Sequence, residues 1–246
     1  MLDRAAYTAM TGAKHAMGQL AVTANNLANA STSGFREAIA TFRAVPMRGE
    51  RTATRAFVVD STPGSSFEPG RLETTGNTFD MAIEGRGFFV VRRADGSEAY
   101  TRAGRFFTDE NGVLRLGRAL SVAGENGDIT IPPGATVEVG ADGTVTGRLP
   151  TDLAPAVLGR LRLVQPEESQ LVRGIDGLFT LPDGVADPSP AVRVRQGALE
   201  GSNVNAADAM MRIITQTRLF EANLKVIQTA DQNSRSANQL LSLSRG

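Results

Sequence analysis

The chain has 246 residues, of which 41% are hydrophobic and 21% charged, so it should fold as one sizeable domain or two small ones. Its 26 basic and 26 acidic residues cancel, which argues against a general binder of nucleic acid or of an anionic membrane. It has no cysteine and one histidine, His15, which excludes a disulfide framework, a thiolate nucleophile and zinc sites built from cysteine or from several histidines.

The sequence contains no segment typical of a membrane span or of a secretory signal. The longest wholly apolar run that we find is Phe88–Val91, whereas a transmembrane helix needs about 18 or more apolar residues. The first residues lack an apolar run of the length that a signal peptide needs. If the protein leaves the cytoplasm, we therefore expect a route without a cleaved signal peptide.

The first predicted element is a helix from Met1 to about Ala30. Small or apolar residues recur in it at alternating spacings of four and three, which is typical of a coiled-coil seam. No charged side chain lies between Ala16 and Phe35, although a solvated helix generally carries charges on its outer face. We interpret it as a helix that contacts partners on more than one side; the alternative is an ordinary core helix of a monomer. The predicted seam consists of Leu2, Ala6, Ala9, Ala13, Ala16, Leu20, Thr23 and Leu27.

The end of this helix is rich in asparagine. Residues 24–35, with the sequence ANNLANASTSGF, favour caps and turns, because short polar side chains compete for backbone hydrogen bonds and glycine tolerates positive φ. Two interpretations stay open: a set of asparagine amides that contact neighbouring helices, and a plain helix stop. Composition does not separate them.

The middle of the chain is typical of β structure, with short apolar runs between glycines and prolines. Residues 109–112 and 140–143 are predicted hairpin turns. Many short strands with regular turn signals predict an all-β domain, either a sandwich or barrel-like. We expect residues 35–75 to form an extended connector with a short strand at 55–59. The predicted strands are 81–83, 88–91, 106–108, 113–116, 129–131, 137–139, 144–146, 161–164, 178–181 and 192–195.

The last predicted element is a helix from Ala206 to Leu243, about 57 Å long at about 1.5 Å per residue. Asn205 is its predicted N-cap, and Asp208 in the first turn favours the helix dipole. Such a helix exceeds the diameter of a compact β-domain, so it must pair with the first helix or with helices of other copies. Its predicted stripe consists of Met210, Ile213, Thr217, Phe220, Leu224, Ile227, Asp231, Ser234, Asn238 and Leu241.

These elements predict an α+β fold in which the N- and C-terminal helices form a coiled-coil stalk and a central all-β domain lies between them in sequence. We expect residues 1–34 and 204–246 to form the helical coiled-coil domain. Residues 35–75 are the predicted connector, and residues 76–203 the β-rich outer domain.

Several segments resemble the rod and hook proteins, the axial proteins of the bacterial flagellum. Residues 24–35 match the N-terminal signature of that family, and residues 199–205 (LEGSNVN) and 237–242 (ANQLLS) resemble its C-terminal region. Gly201 favours the proximal-rod members over the distal rod. Ala206 departs from the family, in which a Pro-Val-like pair is common at this place. Further segments similar to the proximal-rod members are residues 7–10, 43–46, 61–64, 100–102 and 177–179.

The resemblance implies a structural subunit of the proximal rod, polymerised through its terminal helices into the shaft that transmits torque from motor to hook. The chain would pass through the flagellar type III export apparatus and assemble in the periplasmic space with itself and with other proximal and distal rod subunits. A distal rod protein is the alternative within the family. No catalysis, cofactor, metal, nucleic acid, small-molecule substrate or direct membrane insertion is implied.

The helix stripes and the resemblance together indicate candidate assembly residues. These are Leu20, Asn25, Asn26, Leu27, Asn29, Phe35, Asn203, Val204, Met210, Ile213, Phe220, Leu224, Ile227 and Leu241.

Two other classes of function fit parts of the sequence. Asp80 and Glu84 have the residue types of a glycosidase carboxylate pair, but they are also ordinary polar groups for a turn. The Asp-Gly pairs at 95–96 and 142–143 lack the spaced acidic ligands of a calcium loop and are predicted turns. The second class is a secreted adhesin or β-sandwich binding module, but such a module does not need long terminal helices with few charges.

Overall fold

The chain is α+β, with an N-terminal helix α1 (Leu2–Ala28), a central β-rich region and a C-terminal helix α2 (Ala206–Leu243). The computed structural model describes residues 2–46, 56–60, 64–151, 153–182 and 184–243. Within these, side chains are described for residues 6–41, 64–151, 153–182 and 184–236. In the described part of the chain, neither helix is apolar enough over its length to cross a bilayer.

Twenty strands and one short 3-10 helix (Glu168–Gln170) lie between the two helices in the described residues. In chain order the strands are β1 (Ala38–Ile39), β2 (Phe42–Pro46), β3 (Ala56–Asp60), β4 (Gly64–Ser65), β5 (Leu72–Thr74), β6 (Met81–Glu84), β7 (Phe88–Arg92), β8 (Glu98–Thr101), β9 (Phe107–Thr108), β10 (Leu114–Leu116), β11 (Leu120–Gly124), β12 (Gly127–Asp128), β13 (Thr136–Val139), β14 (Thr144–Arg148), β15 (Ala156–Arg160), β16 (Leu163–Val164), β17 (Val172–Arg173), β18 (Phe179–Thr180), β19 (Arg193–Gln196) and β20 (Ala198–Glu200).

The chain divides into two compact units. The helical unit consists of Met1–Ala28, Ala38–Gly64 and Asn205–Gly246, and the β-rich unit consists of Asn29–Glu37 and Ser65–Val204. The predicted connector, residues 35–75, is therefore divided between the two units. Its middle part, with β2 and β3, belongs to the helical unit, and both ends of the connector belong to the β-rich unit.

In the helical unit, α1 packs against α2. Helix α2 begins and ends where the sequence predicted, and Asn205 caps it as expected. The Asn205 Oδ1 accepts hydrogen bonds from the backbone N–H groups of Ala207 and Asp208, at 3.1 and 3.3 Å. The strand predicted at 55–59 is confirmed as β3, which pairs antiparallel with β2, a strand that the sequence did not indicate.

The β-rich unit is built on a nine-stranded sheet with the order β17-β18-β8-β7-β11-β10-β9, in which β12 also pairs with β11 and β16 with β7. Its end strands β17 and β9 each pair with one neighbour. Within the described residues the sheet therefore stays open, and the barrel-like form of the predicted domain is wrong. A three-stranded sheet, β13-β14-β15, and the antiparallel pairs β6–β19 and β5–β20 complete the unit.

Strand β7 explains the apolar run at 88–91. Successive side chains of a strand point to opposite faces, so a strand that is apolar throughout is buried on both sides. Phe89 lies in one core cluster with Phe106 and Leu114, while Phe88 lies in another with Tyr100. The apolar run at 88–91 thus follows from the central place of β7 in the sheet.

Both predicted hairpins are present, as β9–β10 and β13–β14. In the first, the Asp109 Oδ1 accepts hydrogen bonds from the backbone N–H groups of Asn111 and Val113, at 3.0 and 2.9 Å. In the second, Gly143 has φ +84, which L-residues with a side chain rarely adopt.

The strand predicted at 129–131 is wrong. Ile129 and Ile131 are buried, but Thr130 makes only an isolated bridge, to Val113. Two prolines follow at once, and proline lacks the N–H that continues a ladder.

Candidate functional site

The more buried side of α2 has the predicted alternating spacing of three and four. Of the residues in the predicted stripe, Ile213, Phe220, Ile227 and Ser234 are half-buried on this side, and Thr217 beside it is half-buried as well. The positions that form it are Ala206, Ala209, Ile213, Gln216, Phe220, Asn223, Ile227, Ala230 and Ser234.

Two of the predicted α2 residues lie off this side. Met210 is 53% exposed and Leu224 is 38% exposed, whereas Ala209 is buried and Asn223 half-buried. One column of the predicted stripe is therefore displaced by one residue, which is about 100° around a helix. Met210 and Leu224 were predicted to face the partner helix because they are apolar. The packing of α1 against α2 instead covers the smaller neighbours Ala209 and Asn223. The side chain of Leu241 lies outside the described residues.

Large apolar side chains remain exposed on both helices. On α1 these side chains flank the buried seam, and on α2 they flank the buried side. They are Tyr7, Met10 and Met17 on α1, and Met210, Met211, Ile214, Leu219, Leu224 and Val226 on α2.

The seam predicted on α1 is confirmed over the described side chains. Ala9, Ala13, Ala16 and Thr23 are buried, and three further positions are half-buried. Those half-buried positions are Ala6, Leu20 and Leu27.

A hydrogen bond and a close approach join α1 to α2. The Gln216 Nε2 donates a hydrogen bond to the Thr23 Oγ1 at 3.1 Å. A Cβ at Gly12 would lie 2.8 Å from the Asn223 Oδ1, so the glycine makes room for this side chain. Gly12 thus has a packing role, which the sequence did not indicate.

The asparagines near the end of α1 have different environments. Asn26 is buried, and its amide makes two hydrogen bonds to the backbone of Ala38, donating at 2.8 Å and accepting at 2.9 Å. Asn26 thus fixes the course of its own chain, and its predicted contact with neighbouring helices stays a prediction. Asn25 is exposed, and Asn29 accepts a hydrogen bond from the Thr32 hydroxyl at 3.1 Å.

In the β-rich unit, residues 34–37, at the end of the N-terminal motif, are hydrogen-bonded to residues 200–203 of the LEGSNVN motif. The Gly34 N–H donates to the Glu200 carbonyl at 2.7 Å, and the Asn203 N–H donates to the Phe35 carbonyl at 3.3 Å. The Asn203 Oδ1 also accepts a hydrogen bond from the Glu37 N–H at 2.6 Å. Residues 29–37, which follow α1 in the chain, are thus bonded to the residues that precede α2.

Asn203 also binds a third segment. Its Nδ2 donates to the Ser66 and Glu68 carbonyls at 3.1 and 3.0 Å. Val204, the next residue, is half-buried. Asn203 therefore joins three backbone segments of one unit by hydrogen bonds. This role differs from the predicted contact with other subunits.

Phe35 is half-buried beneath a guanidinium group. The Arg173 Cζ lies 4.3 Å from the centre of the Phe35 ring, and the Arg173 Nη1 donates to the Arg36 carbonyl at 2.7 Å. Burial lowers the pKa of Arg173 from its ordinary value.

A buried ion cluster lies beside these segments. The Glu200 side chain is 1% exposed and lies between the guanidinium groups of Arg36 and Arg102. Its Oε1 is 2.8 Å from the Arg36 Nη1 and its Oε2 is 2.6 Å from the Arg102 Nε. The Gly70 N–H donates to the same Oε1 at 2.9 Å.

Arg102 also donates hydrogen bonds to three backbone carbonyls of the turn at residues 83–87. Its Nη1 donates to the Gly87 carbonyl at 2.7 Å, and its Nη2 donates to the carbonyls of Ile83 and Gly85 at 3.1 and 2.9 Å. Sequence reasoning missed this cluster. Arg102 and Glu200 lay inside segments that resembled the family, but no periodicity indicates that a charge is buried.

The carboxylates considered for catalysis do not share one environment. Asp80 is buried just before β6, while Glu84 is exposed at its end and pairs with Arg195 at 2.5 Å. Asp95 and Asp142 accept hydrogen bonds from Ser97 and Thr144 within their own turns, and these bonds lower the pKa of each carboxyl. Among the described residues, no group of three or more acidic or histidine side chains is placed to hold a metal ion.

Three family models match the chain. Residues 7–36 match the model for flagella basal body rod proteins, and residues 82–147 match the D1 domain of the flagellar hook protein FlgE/F/G. Residues 195–240 match the C-terminal region of the flagellar basal body rod FlgEFG proteins.

Similar proteins extend over nearly the whole chain. The flagellar basal-body rod protein FlgF of Escherichia coli is 44% identical, and the alignment covers 99% of this chain and 100% of that protein. The FlgF protein of Salmonella typhimurium is 43% identical with the same coverage. The flagellar basal-body rod protein FlgG of Buchnera aphidicola is 32% identical, over 89% of this chain and 92% of its own.

Proposed function

The chain belongs to the FlgF family of flagellar basal-body rod proteins, and on that premise we propose that it polymerises through its two terminal helices as a structural subunit of the proximal rod. In this role it forms part of the shaft that transmits torque from motor to hook. The resemblance of the sequence motifs to this family is thereby confirmed.

The observation that carries the proposal is the exposed apolar surface of the helices. Met210, Met211 and Ile214 are 53%, 68% and 54% exposed. Exposed large apolar side chains that cluster on one element mark interaction sites in soluble proteins. Since α1 covers one side of α2, neighbouring subunits are the partners that would cover the rest.

The finer assignments follow from the same proposal. They place a coiled-coil rod core in residues 1–34 and 204–246, a sandwich-like outer domain in residues 76–203 and the connector in residues 35–75, although residues 29–37 and 204 belong to the β-rich unit and residues 38–64 to the helical unit. The partners are other copies of the chain and other proximal and distal rod subunits. The chain reaches the periplasmic rod through the flagellar type III export apparatus without a cleaved signal peptide, and it has no catalytic activity.

Two comparisons favour this role over its alternatives. The FlgF proteins of Escherichia coli and Salmonella typhimurium are 43–44% identical over 99% of the chain, whereas the FlgG proteins that match are 30–34% identical over 89–93% of it. An adhesin or an enzyme gives no account of the long helices with exposed apolar flanks.

The experiment compares Leu224→Asp with Leu153→Asp. Leu224 lies on the exposed flank of α2, and Leu153 is fully exposed in the β-rich unit, so the two variants make the same chemical change. Each variant replaces the chromosomal copy, and swimming and the composition of purified basal bodies are measured. A carboxylate buried without a partner is costly, so Leu224→Asp should be missing from basal bodies and the cells should not swim.

The purified Leu224→Asp protein should keep the thermal unfolding transition of its β-rich unit, which separates failed assembly from failed folding. Leu153→Asp should assemble normally. Complete rods that contain Leu224→Asp would show that this flank is not an assembly surface.

A further inference from the structure

Residues 29–37 are held in the β-rich unit by few bonds of their own backbone. Beyond the local turn, the Gly34 N–H, the Phe35 carbonyl and the Glu37 N–H bond to residues 200–203, the Glu37 carbonyl accepts from the Ser66 N–H, and the Arg36 carbonyl accepts from Arg173. Apart from Phe35, the segment contributes no side chain to an aromatic or apolar cluster among the described residues. Its docking must therefore depend on a few polar contacts.

Arg36 makes the most deeply buried of these contacts. Its side chain is 3% exposed. One nitrogen, Nη1, makes two bonds, to the Glu200 Oε1 at 2.8 Å and to the Glu68 carbonyl at 2.7 Å. Arg36 thus joins its own segment to two others.

The charge of Glu200 is already balanced without Arg36. Arg102 forms an ion pair with Glu200 at 2.6 Å and donates to three carbonyls. The cluster therefore holds two cations and one anion. Burial lowers the pKa of Arg36, as does the nearby charge of Arg102, while Glu200 acts in the opposite direction.

A buried ion pair is weak evidence of stability, because apolar side chains of similar volume often replace it without loss. The second guanidinium of the cluster adds a desolvation penalty that Arg102 and Glu200 do not require. Arg36 is therefore not needed to neutralise Glu200, and its bond to the Glu68 carbonyl joins its own segment to another.

We propose that Arg36 is a positioning residue, a latch that holds residues 29–37 against residues 198–204. The latch fixes, within the β-rich unit, the two points from which the chain continues into α1 and into α2. The proposal goes beyond the assignment as a rod subunit and does not depend on it, because it is tested on the isolated protein.

The test uses Arg36→Met, with Arg118→Met as the matched control, since Arg118 is exposed in the same unit. Hydrogen exchange of the Gly34 and Glu37 amides is measured on the full-length protein together with the Tm of the β-rich unit. Arg36→Met should speed exchange at both amides by about tenfold or more, while the Tm changes by less than about 4 °C. Arg118→Met should leave both readouts unchanged.

Two more variants separate a latch from a structural ion pair. Glu200→Gln leaves two buried guanidinium groups without an anion, so it should lower the Tm far more than Arg36→Met does. Arg36→Lys keeps a charge with three donors, so it should retain more protection at Gly34 and Glu37 than Arg36→Met.

Three results would overturn the latch: wild-type exchange at both amides in Arg36→Met, a fall of Tm or a failure to fold comparable to that of Glu200→Gln, or equal loss of protection with lysine and methionine.

Discussion

The two units bury different kinds of side chain. In the β-rich unit, Phe89, Tyr100 and Leu114 are buried completely or almost so. In the helical unit, every buried apolar side chain among those described is an alanine, and the large apolar side chains are half-buried or exposed. The β-rich unit therefore holds most of the hydrophobic stabilisation that the chain can obtain alone.

This difference has a simple physical basis. Fully burying a large apolar side chain contributes about 1.5–3 kcal/mol, whereas an alanine offers a single methyl group. Small residues let α1 and α2 approach closely, but the pair gains little until other surfaces cover its flanks. The same design thus weakens the isolated helices and leaves apolar surface exposed on them.

The largest expected difference in stability between the units comes from replacing one phenylalanine of each unit with alanine. Phe89→Ala removes a ring that is fully buried in the β-rich core and should destabilise that unit by about 3–5 kcal/mol. Phe220→Ala removes a half-buried ring of α2 and should leave the unfolding transition of the β-rich unit unchanged. Chemical denaturation followed by a β-sheet signal measures both.

Phe220→Ala should instead lower the amount of the protein in purified basal bodies. If it destabilises the β-rich unit as much as Phe89→Ala does, the two units do not differ in the way described.

A smaller difference in stability is expected when one glycine of each unit is replaced by alanine. A Cβ at Gly34 would lie 2.2 Å from the backbone nitrogen of Ala103, and Gly34 has φ +71, so Gly34→Ala should cost roughly 2–5 kcal/mol. At Gly12 the obstacle is the end of the flexible Asn223 side chain. There a helix gain of about 1 kcal/mol should offset the displaced side chain, so Gly12→Ala should be nearly neutral.

Gly96→Ala is the control for backbone strain, because Gly96 has φ +83 and open space around it. Thermal unfolding should rank Gly34→Ala as the more damaging of these two variants. Equal losses at Gly34 and Gly96 would show that close approach to Ala103 does not matter.

Much of the fold was predictable from local signals. Helix α2 was predicted with its bounds, because no glycine or proline interrupts residues 206–243 and Asn205 is a good cap. The hairpins at 109–112 and 140–143 were predicted from their turn residues. The long-range pairing of the strands was not, since β6 pairs with β19 across more than a hundred residues of chain.

The site was predicted less well than the fold. Helical spacing was correct, but hydrophobicity selected Leu224 where the helix pair buries Asn223 opposite Gly12. Arg36 and Glu200 were not predicted as partners, although Glu200 lies in a segment that resembles the family, because a sequence does not state which charges are buried together. Asn203 and Phe35 were chosen through the family resemblance, and their contacts lie within one unit.

The smallest expected effect is a pH dependence confined to the β-rich unit. A hydrogen bond from Arg115 is the main cause that lowers the pKa of Asp109 below its ordinary 3.8, and Ser97 and Thr144 do the same for Asp95 and Asp142. A lowered folded pKa contributes stability above pH 3.8 that is lost as the pH falls through the folded value. The Tm should therefore fall as the pH drops below about 4, and less steeply in Asp109→Asn.

Hydrogen exchange of the full-length monomer, followed by the same measurement on purified rods, tests the contrast between the units most directly. The account predicts that amides of α1 and α2 exchange orders of magnitude faster than those of β7 and β11 in the monomer, and become protected in the rod. Helices that are as protected as β7 in the free monomer would contradict it, because they would then be stable without partners.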